Sequence, residues 1–189
     1  MITYPEYVKI DNEKVKINTD FSVALRCIEI SRDETIGEYE KQLAIVYLLY
    51  GNIPLNDDIG TYLDMAYKFL TCNKNSEQTQ ADEESEPDMD LLYDEKYINA
   101  SFLSEYQIDL TKVKMHFWQY CDLIEGLGSD CILNRIRDIR TCDLSEYSSK
   151  YREKMLRARE SVALPRIQTK EEREKEEEFE KWLLAGGVT

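Results

Sequence analysis

The chain has 189 residues, with 24 Lys and Arg against 38 Asp and Glu, giving a formal net charge of −14. That length fits one domain, or one domain with tails, and such a body buries roughly two-thirds of its unfolded surface without a metal or disulfide staple. The carboxylate surplus argues against non-specific nucleic-acid binding and against attachment to an anionic membrane, because both need an excess of Lys and Arg. With 42% hydrophobic and 33% charged residues, the composition suggests a folded core carrying solvated appendages.

Residues 7 to 17 alternate on either side of a polar Asp11-Asn12-Glu13 turn, the pattern of a β-hairpin. Thr19 or Asp20 offers an N-cap for a helix carrying Val23, Ala24, Leu25 and Ile28. A second helix is predicted over about 36–50, with Leu43, Val46, Tyr47 and Tyr50 at i, i+3, i+4, i+7, a C-cap at Gly51 and a stop at Pro54. A third, over about 56–71, carries the cleanest stripe, through Ile59, Tyr62, Leu63, Ala66, Phe69 and Leu70.

From residue 73 to 90 the character changes. No Lys or Arg lies between Asn75 and Glu95, whereas Glu77, Asp82, Glu83, Glu84, Glu86, Asp88 and Asp90 are all acidic. Such a stretch buries too little apolar surface to offset its ordering entropy, so a disordered acidic loop is expected. Order resumes at Leu91. Ile98, Phe102 and Tyr106 mark a helix of about 91–106, and Val113, Phe117, Tyr120, Cys121 and Ile124 mark one of about 112–126. A shorter helix carries Ile132, Ile136 and Ile139, and a charged helix runs on through Arg159 to a break at Leu164-Pro165.

Between Arg135 and Arg159 eight basic residues face four acidic ones. This segment reads as a solvated helix face, with docking of an acidic partner or folding against the acidic loop as alternatives. The stretch from Thr169 to Leu184 is dense in Glu, Lys and Arg, and i, i+4 pairs hold such a helix partly formed. The predicted fold is mainly α: a multi-helix bundle over 1–145 with a small N-terminal β-hairpin and the acidic loop at 73–90, then a charged helical C-terminal arm over 146–189.

Little in the chain points to chemistry. Seven glycines form no phosphate-binding loop, and neither a Gly-x-Ser-x-Gly elbow nor a His-Glu-x-x-His helix is present. Five cysteines with no Cys-x-x-Cys pair, and a single histidine, supply no metal-ligand set. Cys27 and Cys121 fall at apolar helical positions, where thiols behave as small hydrophobes. His116 and Cys121 are five apart, about 140° off a common helix face, so a hydrogen-bonded core or capping role is expected of His116. No enzyme, cofactor or metal is predicted. With no basic-then-apolar N-terminus and no apolar run near ~20 residues, neither a signal peptide nor a membrane span is expected, and the protein is read as intracellular.

One resemblance organises these segments. Asp94-Glu-Lys-Tyr-Ile98-Asn-Ala100-Ser-Phe102, followed by Tyr106-Gln-Ile108-Asp109-Leu110, resembles the acidic-x-x-x-Ile-x-Ala-x-Phe and Tyr-Gly-Ile-Asp-Leu patterns of the bacteriophage gene-product-fifteen family. Met115-His116-Phe117-Trp118-Gln119-Tyr120 is similar to its His-Trp-Trp-x-Phe. Ile136-Arg137-Asp138-Ile139-Arg140 with Asp143-Leu144 resembles its Ile-x-x-Arg-x-x-Asp-Leu ending, and Thr19-Asp20-Phe21 its opening. The resemblance spans about residues 15–145. Gln107 stands where the family has Gly, which would strain a left-handed helix cap. Phe117 replaces a Trp and loses its indole N–H.

The resemblance implies a tail-assembly chaperone of long-tailed, non-contractile phages of Gram-positive hosts. Such a protein works in the host cytoplasm, is absent from the finished virion, and binds the tape-measure protein, the tail-tube protein and copies of itself. The matched residues Asp20, Phe21, Phe102, Tyr106, Ile108, Asp109, Leu110, His116, Trp118 and Arg140 are expected to be structural. Two other readings compete: a minor tail or connector protein of the virion, and an acidic mimic of DNA that inhibits a host enzyme. Separately, Phe179, Trp182 and Leu183 at i, i+3, i+4 on the charged arm are the candidate partner-binding stripe.

Overall fold

Tyr7–Ile10 and Glu13–Lys16 form antiparallel strands β1 and β2, with Tyr7 opposite Lys16 and Ile10 opposite Glu13. Asp11 and Asn12 join them at φ 47° and 68°. Two successive positive φ angles make a type I′ turn, whose twist suits a two-residue hairpin. The turn is one residue shorter than expected, because Glu13 already pairs in β2. The computed structural model describes residues 3–54, 59–73, 87–146, 148–165 and 181–182.

Seven α-helices follow the hairpin among the described residues: α1 (Phe21–Arg32), α2 (Glu38–Tyr50), α3 (Ile59–Leu70), α4 (Glu95–Tyr106), α5 (Phe117–Glu125), α6 (Ile132–Thr141) and α7 (Ser149–Val162). The protein is therefore mainly helical with a short N-terminal hairpin, as the periodicity predicts. Ala24 and Cys27 of α1, Ile45 and Val46 of α2, Ala66 of α3, Ile98 and Phe102 of α4, and Leu133 of α6 are fully buried. They belong to one core, to which α5 adds Phe117, Tyr120 and Ile124. Inside it Tyr120 stacks on Phe21 with ring centroids 4.9 Å apart, and Phe102 lies 5.6 Å from Tyr120. Large aromatics joined this way supply both apolar area and orientation.

Helix ends are set by named groups. Asp20 accepts the Ser22 N–H as the N-cap of α1, and Gly51 closes α2 at φ 77°. Two predicted starts are corrected. The helix expected from 112 begins at Phe117, because His116 is its N-cap: Nδ1 accepts the Trp118 N–H at 3.0 Å. The helix expected from 91 begins at Glu95, residues 91–94 forming a turn. At α6 the Cys131 thiol accepts the Asn134 N–H, and Ser101 of α4 accepts the Leu133 N–H across the core. One helix thus caps another, a device invisible to any local pattern.

The expected acidic loop also changes at its end. Residues 74–86 lie outside the described residues, but 87–90 are placed against the helices. The arm divides similarly: 149–162 is α7, packed along α6, whereas Phe179 and Leu183 lie outside the described residues and Trp182 is 54% exposed.

Gln107 does end α4 in the left-handed region, at φ 57°, and the Ile108 N–H reaches back to the Phe102 carbonyl at 3.2 Å. The turn is the one that glycine normally makes, held here by a residue with a Cβ. Gln107→Gly is therefore expected to stabilise the protein by about 0.5–1 kcal/mol, read as a higher urea midpoint at unchanged m-value.

Candidate functional site

Among the described residues, a concavity of about 670 Å³ lies between α1 and α4. Phe21, Ser22, Leu25, Arg26 and Glu29 line one wall from a single face of α1; Leu91, Leu92, Glu95, Lys96 and Asn99 line the other; Leu110, Thr111 and Tyr120 complete it. Phe21 and Tyr120 are buried, while Leu25, Leu91, Leu92 and Leu110 are half-buried. The lips are charged, and Arg26 pairs with Glu29 along one of them at 2.5 Å. An apolar floor with charged lips suits an amphipathic helix better than a small polar substrate.

The far wall is built on a buried ion pair. Arg140 donates from both terminal nitrogens to the two carboxylate oxygens of Asp94, each at 2.7 Å. The Asp94 side chain is fully buried and that of Arg140 is 6% exposed. The guanidinium also donates to the Asp88 carbonyl at 2.9 Å and, through Nε, to the Val162 carbonyl at 2.7 Å. Asp94 in turn accepts the Asp90 N–H at 3.0 Å. One pair thus ties together α4, α6, the last residue of α7 and the segment that leads into Leu91 and Leu92. The hydrogen bond with Asp94 raises the Arg140 pKa.

Neighbouring carboxylates extend this frame. Asp88 pairs with Arg137 at 2.8 Å and Asp90 with Arg32 of α1 at 2.6 Å. Burial alone would raise the Asp90 carboxyl, but the Tyr93 amide, Arg32 and the Leu92 amide hold it below its ordinary value. The expectation of a solvated basic face over 135–159 holds for Arg135, Lys150, Lys154 and Arg157, which are exposed, and is corrected for Arg137, Arg140 and Arg159. Arg137 and Arg140 fold against the end of the acidic segment, and Arg152 and Arg159 donate to backbone carbonyls at Leu144 and Ser145 and at Ile139 and Cys142.

The other singled-out residues sit in helix caps, turns and the core. Asp20 and His116 cap adjacent helices back to back, joined by an antiparallel bridge in which the Phe21 N–H meets the Met115 carbonyl and the Phe117 N–H meets the Thr19 carbonyl. With His116 Nδ1 accepting, Nε2 carries the proton and donates to the Pro5 carbonyl at 2.9 Å. The imidazole also stacks on Tyr4 at 5.0 Å. The Trp118 indole N–H donates to the Phe69 carbonyl, and Tyr106 Oη donates to the Leu123 carbonyl. Ile108 and Leu110 pack against the core, and Asp109 accepts from the Thr111 amide and hydroxyl to shape their turn. Phe102 and Phe117 are core residues.

Cys27 and Cys121 are held as thiols. Burial pushes Cys27 up to about 12, and a hydrogen bond with Cys72, together with burial, raises Cys121 well above its ordinary value. Among the described residues, no group of three or more His, Cys, Asp and Glu could hold a metal, and no helix is long and apolar enough to cross a membrane.

The sequence profile described as bacteriophage Gp15 protein matches residues 3–164. That stretch runs from the segment stacked on His116 to the end of α7, and includes every element of the frame. The chain belongs to the bacteriophage Gp15 protein family. No curated protein and no solved structure matches it. The match extends the resemblance over about 15–145 at both ends, and takes in the α7 carboxyl end that Arg140 holds. Sequence reasoning singled out Arg140 in this Gp15 family member without naming Asp94 as its partner. The signal was present, since both stood in quoted motifs, but 46 residues separate them.

Breaking the pair strands a buried charge. Arg140→Ala and Asp94→Asn are each expected to cost about 3–5 kcal/mol, measured by urea unfolding. Arg140→Lys should recover only part, because an ammonium cannot bridge both oxygens. Acid should weaken the frame through Asp90. Its folded pKa is depressed, so its contribution is complete above the unfolded value near 4 and is lost as pH falls through the folded value. Asp90→Asn should therefore lose less stability than wild type as pH is lowered below about 4, followed by unfolding curves in matched buffers.

Proposed function

We propose that this phage protein is a non-enzymatic tail-assembly chaperone, which holds the tape-measure protein until tail-tube subunits replace it. The observation that carries the reading is family membership across 3–164. The α1–α4 groove supports it, since a long helical client presents apolar stripes of the kind such a groove accepts. The charge of −14 supports it too, because strongly acidic proteins resist self-aggregation while handling apolar partners. In this reading the protein acts in the host cytoplasm.

The DNA-mimic alternative has less behind it. Asp88, Asp90 and Asp94, at the end of the acidic stretch, are each paired with an arginine, so they do not present a free phosphate-like array. A minor tail or connector role shares the family evidence and differs in where the protein ends up.

Co-expression with the tape-measure protein should carry that partner into the soluble fraction and elute with it as a complex. Leu25→Glu in the groove should reduce the recovered partner by at least about tenfold, corresponding to one interface anchor. Unchanged solubility with no complex overturns the chaperone reading. Mass spectrometry of purified particles should find the protein absent; stoichiometric copies would establish the virion role instead.

A further inference from the structure

Three of the five cysteines have a use within the fold. Cys27 is fully buried in the core, Cys131 caps α6, and the Cys142 thiol donates to the Ile139 carbonyl. Cys72 and Cys121 meet each other instead. They hydrogen-bond side chain to side chain, and both are half-buried against the edge of the core.

The backbone around them holds the two thiols together. Helix α3 ends in a turn where Cys72 and Asn73 take φ 53° and 58°, and their amides donate to the Phe69 and Lys68 carbonyls at 3.1 and 2.7 Å. The same Phe69 carbonyl accepts the Trp118 indole N–H at 2.8 Å, and the Phe69 and Trp118 rings stack with centroids 6.0 Å apart. Trp118 lies one turn before Cys121 on α5. One carbonyl therefore fixes both the turn that carries Cys72 and the stretch of helix that carries Cys121. Gly or Asn would close α3 in the left-handed region at less cost than cysteine does. What the cysteine adds there is a sulfur beside Cys121.

We propose that Cys72 and Cys121 are a redox pair, which oxidised glutathione closes into a disulfide that braces α3 against α5. Cys72, once ionised, attacks one sulfur of glutathione disulfide and expels a glutathione thiolate, which takes up the proton that Cys72 lost. Cys121 then attacks Cys72 Sγ in this mixed disulfide and expels the second glutathione, whose thiolate takes up the Cys121 proton. Two protein thiols are oxidised and one glutathione disulfide is reduced to two thiols, so electrons and protons balance. The order follows from where the proton sits. The bond with Cys72, together with burial, keeps Cys121 a thiol, so Cys72 attacks first. Once Cys72 is capped, that bond and the charge of Cys72 no longer oppose ionisation of Cys121, which is then free to resolve the intermediate. In a compartment that glutathione keeps reducing the pair stays open.

The closed loop runs from 72 to 121 and takes in the acidic stretch and α4. Closing so long a loop restricts the unfolded chain far more than the folded one. Full-length protein treated with glutathione disulfide should lose two of its five free thiols. Peptide mapping should recover Cys72 joined to Cys121 with no glutathione retained. The urea midpoint should rise by about 1–2 M and return when dithiothreitol is added. In Cys121→Ala the reaction should stop at one glutathione on Cys72. Cys72→Gly, which keeps the left-handed turn, should leave Cys121 unmodified and show no oxidant-dependent shift, with circular dichroism checking that both variants fold. Retention of all the thiols, a bridge between other cysteines or between two chains, a mixed disulfide on Cys72 that Cys121 never resolves, or a bridge that leaves the midpoint unmoved would each overturn the proposal. Neither the groove nor the tape-measure protein enters these measurements, so the redox pair and the chaperone reading can fail independently.

Discussion

The start of α4, the end of α6 and the end of α7 are arranged around the carboxylate of Asp94 and the guanidinium of Arg140. Burying two opposite charges costs several kcal/mol of hydration per ion, and the cost is offset only when geometry is good and the remaining donors and acceptors are used. Both conditions hold. The pair is bidentate, and the other Arg140 bonds go to the Asp88 and Val162 carbonyls. Such a site tolerates little displacement of any partner, so it fixes the start of α4, the end of α6 and the end of α7 relative to one another. A hydrophobic contact of equal area would hold them together without specifying the angle.

A second junction does the corresponding work for the first half of the fold. Asp20 and His116 each satisfy the exposed amides of one helix start, and the backbone bridge between them sets α1 against α5. The His116 ring is used on both nitrogens and on its Tyr4 face, leaving it little freedom to act on a substrate. One junction anchors the start of α1 and the other the start of α4, and these two helices supply the walls of the groove. The groove is thus a rigid gap between elements that are each anchored elsewhere, which is the condition for a preformed binding surface.

The basic segment and the acidic stretch acquire a shared meaning in this arrangement. On composition they look like two independent solvated features, one of either sign. In the fold the last acids of the stretch, Asp88 and Asp90, are countercharges for Arg137 and Arg32, and they hold the chain against the helices just before Leu91. The acidity therefore has two parts. Some of it is spent holding the groove wall, and the rest gives the protein its net charge.

Much of the fold was legible in the chain itself, because its causes are local. Apolar residues recurring at three and four positions place α1 to α6, a two-residue polar turn makes the hairpin, and Asp20, Gly51 and Pro54 mark helix ends through their own backbone chemistry. Even the strain at Gln107 could be foreseen, since it needs only a left-handed cap and a residue with a Cβ. The groove, the Asp94–Arg140 pair and the capping of α6 by Ser101 could not. Each depends on groups dozens of residues apart meeting at hydrogen-bonding distance, and periodicity carries no information about which charged or polar side chain will face which. Sequence alone settled which segments are helices and which side of each is apolar; tertiary structure decided how they cross, because that angle is set by a few long-range polar contacts that only form once the helices have packed.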